Sequence, residues 1–275
     1  MAKKETLTPY DRVRRARDAR RPTSLDYIGG LLDSFIELHG DRRYADDPAI
    51  IGGIGFLGKQ PVTVVAIEKG HNLKERKLRN FGGPKPEGYR KALRLMKQAE
   101  KFGRPVICLI DTAGAFCGIG AEERGQGLAI AENMMEMSTL SVPIISVLIG
   151  EGGSGGALGL GLADRVWMLQ NSYYSAISPE GCASILWKDA KRADQAAANL
   201  RLTAEDARDL GVADRIILER ELGSDKFYAR MKRALLEEIK RLEADPDLLN
   251  HRYMRFRGIG QQAKDKKKLI NENDQ

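Results

Sequence analysis

The sequence contains few of the residues that build metal centres and disulfide scaffolds. Its 275 residues include three cysteines and three histidines. Cys108, Cys117 and Cys182 are odd in number and widely spaced, and they form neither a CxxC pair nor a His-Cys cluster of metal-ligand spacing. This scarcity excludes a disulfide framework and predicts reduced thiols, with no metal bound by this chain.

Long apolar runs are also missing. No stretch of 18 uninterrupted apolar residues occurs, and the N-terminal "MAKKETLTPYDRVRRARDARRP" lacks the apolar segment of a signal peptide. We therefore expect a cytoplasmic protein that has no membrane partner. The hydrophobic share of 42% is enough for the core of one large globular domain.

The net charge of +7 is unevenly distributed along the chain. Residues 1–22 hold eight Lys/Arg against three acids, and residues 66–101 hold eleven against four. Such segments can attract the phosphates of a nucleotide-like ligand, nucleic acid or the acidic surface of a partner. An ordinary solvated helix face has the same composition, so both interpretations stay open.

Strand and helix patterns alternate along the middle of the chain. The predicted elements are two adjacent strands in 49–58 and 61–70, a helix over 86–103, a strand over 105–111, a loop over 112–120, a helix over 121–137, a strand over 143–150, a loop over 151–156 and a helix over 157–163. This order is typical of an α/β protein. Because no GxGxxG follows the first strand, repeated strand-strand-helix units in a superhelix fit better than a dinucleotide-binding fold.

The remainder of the chain continues the pattern. Strands are expected over 165–170 and 173–178, followed by helices that Ser178 and Thr203 cap. A strand at "RIILE" precedes a long helix over 224–246 and a frayed lysine-rich tail. The sequence predicts a basic, partly helical N-terminal appendage over 1–25, a catalytic core over 26–222, and a C-terminal helix and basic tail over 223–275.

The two glycine-rich segments, 112–120 and 151–156, each follow a buried strand and precede a helix. Backbone N–H groups converge in this geometry at the positive end of the helix dipole, where they can hold an anion or the oxyanion of a reaction. Glycine suits such a site because ligand atoms can approach the main chain closely. The same glycines could simply permit tight turns.

Ser154 lies in the pattern Gly-x-Ser-x-Gly, which surrounds the nucleophile of many hydrolases. A nucleophile of that type needs a downstream histidine, and only His251 follows, in a polar segment. We therefore expect Ser154 to cap a helix rather than to attack a substrate. His71 and Cys117 have no obvious catalytic partner in the sequence.

The segments "NFGGPKPEGYRKALRLM", "IDTAGAFCGIGAEERGQ", "GEGGSGGALGLGLAD" and "ISPEGCASILWKD" occur in this order. Together they closely resemble the alpha subunit of the carboxyltransferase component of bacterial acetyl-CoA carboxylase. The resemblance implies a crotonase-like superhelix and an alpha2beta2 heterotetramer. It also implies transfer of a carboxyl group from carboxybiotin, carried by the biotin carboxyl carrier protein and loaded by biotin carboxylase, to acetyl-CoA. The product would be malonyl-CoA, the first intermediate of fatty-acid synthesis, and the family's zinc finger would belong to the beta subunit.

Acetyl-CoA must place negative charge on its thioester oxygen, and carboxyl loss leaves charge on the biotin ureido oxygen. Two such oxyanions call for backbone donors and need no side-chain nucleophile. By resemblance, the donors are assigned to Gly152, Gly153, Gly114 and Ala115. Substrate contacts are expected from residues beside the two loops and from a compact basic set: Phe116, Gly118, Ser154, Lys74, Arg76, Lys77 and Arg79.

Two other functions compete with this hypothesis. A stand-alone crotonase-type hydratase or ClpP-like peptidase would need a positioned Glu pair or a Ser-His-Asp set, and the sequence offers neither convincingly. A non-catalytic nucleic-acid binder would use residues 1–22 and 66–101 and would bind with steep salt dependence. A nucleic-acid partner is not expected for a carboxyltransferase subunit.

Overall fold

The computed structural model describes residues 7–260. Its strands are β1 (Ser34–Glu37), β2 (Ile50–Leu57), β3 (Gln60–Ile67), β4 (Val106–Thr112), β5 (Ile144–Gly153), β6 (Arg165–Leu169), β7 (Tyr173–Ser175) and β8 (Arg215–Ile217). Its α-helices are α1 (Pro9–Ala16), α2 (Ser24–Leu31), α3 (Leu73–Leu78), α4 (Pro86–Lys101), α5 (Ile119–Glu123), α6 (Gln126–Thr139), α7 (Ser154–Leu158), α8 (Pro179–Trp187), α9 (Ala193–Leu200), α10 (Ala204–Asp209), α11 (Asp225–Glu243) and α12 (Leu248–Gly258).

All eight strands belong to one sheet, in the order β1-β2-β3-β4-β5-β6-β8, with β7 pairing only with the end of β5. The pairs β1–β2 and β2–β3 are antiparallel, and β3 to β6 and β8 run parallel. The predicted α/β class is therefore confirmed. Because the carboxyl ends of parallel strands meet at one sheet edge, the loops after β3, β4 and β5 lie close together.

Both faces of the sheet are covered by helices. Alternate strand residues point to opposite faces, so Cys108 packs in a cluster with α4 residues such as Leu95, while its neighbour Ile107 packs on the other face with α2 and α11. Parallel strands covered on both faces read as continuous apolar runs. This explains why "PVICLID" and "PIISVLIG" show no polar alternation.

The helix caps predicted at Ser178 and Thr203 are confirmed. Ser178 Oγ accepts the Gly181 N–H at the start of α8. Thr203 and Asp206 form a reciprocal capping box at the start of α10. Gly103 adopts a φ of +64° just after α4, the left-handed conformation that glycine favours at a helix end.

Three predicted boundaries are wrong. The helix expected over 121–137 is two helices, α5 and α6, because Gly125 adopts a φ of +79° between them. The loop expected over 151–156 is absent, since β5 continues to Gly153 by pairing with β7 and α7 follows directly. The next helix accordingly starts at Ser154 and ends at Leu158 instead of covering 157–163.

The two ends of the described chain pack against the sheet. In α11, Phe227 and Leu235 are buried in the cluster on the α2 face. Near the N-terminus, Arg21 forms two hydrogen bonds of 2.8–2.9 Å to Glu219. The division into an appendage over 1–25, a core over 26–222 and a C-terminal part over 223–275 stays a prediction, and the expected frayed tail over 261–275 lies outside the described residues.

Candidate active site

The two glycine-rich segments meet at the carboxyl ends of β4 and β5. A Cβ atom on Gly153 would lie 2.1 Å from the Ala113 carbonyl oxygen, and one on Gly156 would lie 2.5 Å from the Ala115 nitrogen. Main chain therefore packs directly on main chain between the segments. Only glycine permits this approach, because any side chain would have to displace backbone atoms. The structure thus brings the predicted pairs Gly152–Gly153 and Gly114–Ala115 to one place.

The segment after β4 has a defined hydrogen-bonding pattern. The Gly114 N–H donates to Thr112 Oγ1 (3.0 Å), and the Thr112 hydroxyl donates to the Gly114 carbonyl (2.8 Å). The Phe116 N–H donates to the Pro84 carbonyl (3.0 Å). Ala115 has no backbone or side-chain acceptor for its N–H among residues 7–260. Of the two donors predicted here, Gly114 thus has its N–H occupied within the chain, whereas Ala115 does not.

Gly152 and Gly153 are the last residues of β5 rather than members of a free loop. Gly152 lies opposite Thr112 of β4 on one side and Tyr174 of β7 on the other, and Gly153 pairs with Ser175. Both are buried. The first turn of α7 follows at once, and the N–H groups of a first helical turn have no intrahelical acceptor.

Ser154 sits at the sharp junction between β5 and α7. Its φ of 51° is left-handed, its side chain is exposed, and the N-cap of α7 is Gly153, with no side-chain cap hydrogen bond. The expectation that Ser154 caps the helix is therefore wrong, because a capping residue needs an extended backbone.

The histidines do not support a nucleophilic role for Ser154 either. Each one contacts a carboxylate elsewhere: His39 is 2.9 Å from Asp46, His71 is 3.2 Å from Asp26 and His251 is 2.8 Å from Asp245. Among residues 7–260, no hydrogen bond joins a serine hydroxyl to a histidine. A Ser-His pair of the hydrolase type is thus absent from that range.

Phe116 and Gly118 lie in the same glycine-rich segment as Ala115. The Phe116 ring packs so closely over Gly118 that a Cβ there would lie 2.8 Å from the ring. The ammonium of Lys85 lies 5.3 Å from the centre of this ring. Lys85 lies one residue before α4, and no pattern along the chain singles it out, because its contact with Phe116 depends on the fold.

The predicted basic set lies on and just after α3, in the segment that leads to Pro84. Lys74 and Lys77 are exposed. Arg76 donates to the Gly70 carbonyl (3.2 Å), and Arg79 donates to the Pro48 carbonyl (2.7 Å). Two of the four cations are therefore free to meet a ligand, and the other two also stabilise the local backbone.

A buried charged cluster adjoins the glycine segments, and no sequence pattern predicts it. Lys69 Nζ lies 2.7 Å from Asp111 Oδ1 and 3.1 Å from Glu151 Oε1. Glu151 Oε2 also accepts from Arg17 Nε (2.8 Å) and from the Tyr173 hydroxyl (2.7 Å). Asp111 and Glu151 follow apolar residues in "LID" and "IGEGG". Lys69, which contacts both, lies 42 and 82 positions before them, so no local pattern links the three residues.

The cluster is electrostatically coupled. Burial alone would lower the pKa of Lys69, but the carboxylates of Asp111 and Glu151 outweigh it and raise that pKa. Burial likewise opposes ionisation of Glu151, yet Lys69 and Arg17 hold its pKa below the usual value. For Asp111, burial raises the pKa even beside Lys69. Lys69 and Glu151 are accordingly charged at neutral pH.

Other candidate residues take no part in this geometry. Cys117 is exposed, Cys108 is buried and neither forms a disulfide. Burial raises the pKa of the Cys108 thiol to about 12. Across residues 7–260, no group of three or more His, Cys, Asp or Glu side chains could hold a metal ion, and no helix is long and apolar enough to cross a membrane.

Comparison with known sequences identifies the family. The profile described as acetyl co-enzyme A carboxylase carboxyltransferase-like matches residues 2–260. Acetyl-coenzyme A carboxylase carboxyl transferase subunit alpha of Streptococcus equi subsp. equi (strain 4047) is 60% identical over 247 residues, which are 89% of this chain and 96% of that protein. The protein of the same name from Streptococcus pyogenes serotype M5 (strain Manfredo) is 58% identical over 91% of this chain and 99% of its own.

Solved structures share the fold at low sequence identity. A Pseudomonas malonate decarboxylase hetero-tetramer in complex with coenzyme A has a chain that is 19% identical, with a TM-score of 0.68 over 90% of this chain and 98% of that one. The transcarboxylase 12S core is 19% identical, with a TM-score of 0.65 over 81% of this chain and 44% of that one. These similarities confirm the predicted crotonase-like fold. The chain thus belongs to the acetyl-CoA carboxylase carboxyltransferase family, as a carboxyltransferase of the alpha-subunit type.

Proposed function

We propose that this chain transfers a carboxyl group from carboxybiotin, borne by the biotin carboxyl carrier protein, to acetyl-CoA and so forms malonyl-CoA. The observation that carries the proposal is the contact between the two glycine-rich segments at the sheet edge, in a chain of this family. Carboxybiotin supplies the activated carboxyl group. The chain itself supplies hydrogen-bond donors and a surface that orients the two reactants.

The donors suit an oxygen that becomes negative during reaction. The Ala115 N–H has no acceptor within the described residues, and its neighbour Gly114, with a φ of +155°, has no atom within 4 Å of the place where a Cβ would be. Ligand atoms can therefore reach this backbone. A donor of this kind, aimed at the biotin ureido oxygen or the thioester oxygen, is worth about 3 kcal/mol of barrier.

The nearby strand end completes the proposed site. Gly152 and Gly153 directly precede α7, and Gly156 in the first turn of α7 packs on the main chain of Gly114 and Ala115. We propose that the free N–H groups of this turn serve as the second set of donors. We assign one oxyanion to each segment. Phe116, Gly118 and Ser154 border the same space and are proposed to contact the substrates.

The competing enzyme classes have less support. A hydrolase would need a histidine beside Ser154, and all three histidines contact carboxylates elsewhere. A hydratase would need a positioned pair of glutamates, whereas Glu122 and Glu123 are exposed on α5. A carboxyltransferase needs neither, since the substrates carry the reacting groups.

We further propose that a beta subunit completes the cleft in an alpha2beta2 assembly, and that biotin carboxylase loads the carrier protein. Apolar side chains on the helices beside the glycine segments are exposed, among them Ile119 at 81% and Leu128 and Met135 on one face of α6. Such a patch is typical of a subunit interface. The unpaired thiols agree with the reducing conditions of the cytoplasm.

The proposed function is tested by combining the chain with its beta subunit and measuring malonyl-CoA decarboxylation with a biotin derivative as carboxyl acceptor. Acceptor-dependent release of acetyl-CoA is the expected result. Turnover of an enoyl-CoA or a peptide by the same preparation, without carboxyl transfer, would instead support the hydratase or peptidase. Tight, steeply salt-dependent binding of duplex or RNA would favour the nucleic-acid binder.

Ser154→Ala is expected to keep carboxyl transfer within about twofold of the unchanged protein, because the hydroxyl is exposed and makes no cap hydrogen bond. The backbone N–H survives the change. Steady-state kinetics of the complex, with circular dichroism to show that the fold is intact, measure the effect. A loss of several orders of magnitude in a folded variant would restore the nucleophile hypothesis.

Lys74→Glu/Lys77→Glu should raise the KM for malonyl-CoA by about tenfold and leave kcat nearly unchanged, since charges that hold the CoA phosphates act on ground and transition states alike. Both side chains are exposed, so the fold should tolerate the change. Lys59→Glu is the matched control, because Lys59 is exposed in the hairpin at the opposite end of β3. Equal KM values for both variants at low salt would show that α3 is an ordinary solvated surface.

A further inference from the structure

Lys69 follows β3 and reaches under both glycine-rich segments. Its side chain is 15% exposed, and its Nζ contacts one carboxylate from β4 and one from β5, at 2.7 and 3.1 Å. One glycine-rich segment follows β4, and the other begins at the end of β5. Lys69 is therefore placed to control how the strand ends lie relative to each other.

The two carboxylates are joined to the glycine segments by very short stretches of chain. Asp111 precedes Thr112, whose hydroxyl binds the Gly114 main chain, and Glu151 directly precedes Gly152. The Glu151 N–H also donates to Asp111 Oδ1 (2.7 Å). A shift of the Asp111 carboxylate would therefore break a hydrogen bond to the β5 backbone one residue before Gly152.

The site is tightly packed at this level. A Cβ on Gly150 would lie 2.3 Å from Asp111 Oδ1, and one on Gly82 would lie 2.9 Å from Lys69 Cγ. On the far side of Glu151, Arg17 Nε at 2.8 Å and the Tyr173 hydroxyl at 2.7 Å hold the second carboxylate oxygen. Glu151 is thus held by two cations, whereas Lys69 is the only cation that forms an ion pair with Asp111 among the described residues, so its removal leaves a buried acid uncompensated.

We infer that Lys69 is a positioning residue, which holds the ends of β4 and β5 in the register that aligns the two sets of backbone donors. The inference rests on the proposed carboxyl transfer, and Lys69 acts only through Asp111 and Glu151. A misplacement of about 1 Å at such donors lowers turnover by about 100-fold. Binding of the CoA phosphates to the exposed lysines of α3 should be unaffected.

Lys91 offers a matched control. Its side chain is fully buried, its Nζ forms an ion pair with Asp46, and it also donates to the Asp47 carbonyl (2.9 Å). It lies on α4, and its partners precede β2, so its polar contacts include neither β4 nor β5. Both lysines are buried and paired, but only Lys69 joins the two strand ends, so a comparison separates positioning from general stabilisation.

The experiment uses the complex with the beta subunit and three variants: Lys69→Met, the charge-balanced Lys69→Met/Asp111→Asn, and Lys91→Met. We expect Lys69→Met to lower kcat about 100-fold with little change in the KM for malonyl-CoA. The double variant should fold more stably than Lys69→Met, because it no longer buries an unpaired Asp111 carboxylate. It should remain slow, because no side chain links Asp111 of β4 to Glu151 of β5 as Lys69 does. Lys91→Met should lose thermal stability yet keep kcat when assayed well below its Tm.

Hydrogen exchange supplies a readout that does not depend on activity. Amides in 112–118 and 150–156 should exchange faster in both Lys69 variants and not in Lys91→Met. If kcat of the double variant returns to that of the unchanged complex, or if exchange in these segments is unaltered, Lys69 has only a charge-balancing role and the inference is wrong. An unchanged complex that fails to transfer carboxyl groups would overturn the proposed function, while the exchange result would still decide whether Lys69 fixes the strand ends.

Discussion

Replacement of Gly153 by valine is expected to lower carboxyl transfer by more than about 100-fold, the loss associated with one oxyanion donor. A Cβ at this position would lie 2.1 Å from the Ala113 oxygen and 2.4 Å from the Ala113 carbonyl carbon. These are main-chain atoms at the end of β4, which cannot move aside as a flexible side chain can. The substitution must therefore separate the two glycine segments.

Gly155→Ala is the matched control for this prediction. It lies two residues further along, and its new Cβ would meet only the Ile130 side chain, at 3.7 Å, an ordinary van der Waals distance. Its activity should stay near that of the unchanged complex. Thermal unfolding and malonyl-CoA decarboxylation are measured for both variants in complex with the beta subunit. Normal turnover by a folded Gly153→Val variant would remove this strand end from the mechanism.

The glycine segments could be predicted from the sequence because their signal is local. A buried strand, a run of glycines and a helix start follow one another within about 15 residues, and each has a recognisable pattern. The parallel sheet then dictates that both segments reach the same edge. Their close contact is a consequence of that topology: a Cβ added to Gly153 would lie 2.1 Å from the Ala113 carbonyl oxygen.

The features that the sequence did not reveal depend on pairing between distant residues. The extension of β5 to Gly153 involves pairing with β7, and Ser154, directly after it, has a left-handed φ. Lys69 finds its two carboxylates only after β3, β4 and β5 lie side by side. No pattern along the chain distinguishes Lys69 from the ten other cations of residues 66–101.

The contacts of the arginine-rich N-terminus also depend on residues that are distant in the sequence. Its composition suggested a surface for a partner or a nucleic acid, but several of its arginines are used within the chain. Arg12 pairs with Glu205, Arg17 with Glu151 and Glu180, and Arg21 with Glu219. These acids lie at least 130 positions away. Within residues 7–22, Arg12, Arg17 and Arg21 thus contribute to the fold, and their charges are paired with acids of the same chain.

The largest expected effect concerns the chain on its own. Carboxyl transfer must hold biotin on a protein arm and CoA with its phosphates so that the donor and acceptor carbons meet within about 3.5 Å. The described residues offer two glycine segments on one side of a cleft, with exposed apolar side chains at Ile119, Leu128 and Met135 beside them. The proposed beta subunit would cover this apolar patch and supply further contacts to the two reactants.

We therefore expect the purified chain to be folded but to lack measurable malonyl-CoA decarboxylation with a biotin derivative as acceptor, and to gain full activity when the beta subunit is added. Circular dichroism of the lone chain controls for folding, and sedimentation of the mixture shows whether an alpha2beta2 complex forms. Because each reactant needs contacts from both sides, the rate should follow the concentration of the complex as the beta subunit is titrated. Full activity from the lone chain would contradict a site shared between subunits and would require every oxyanion donor to lie in this sequence.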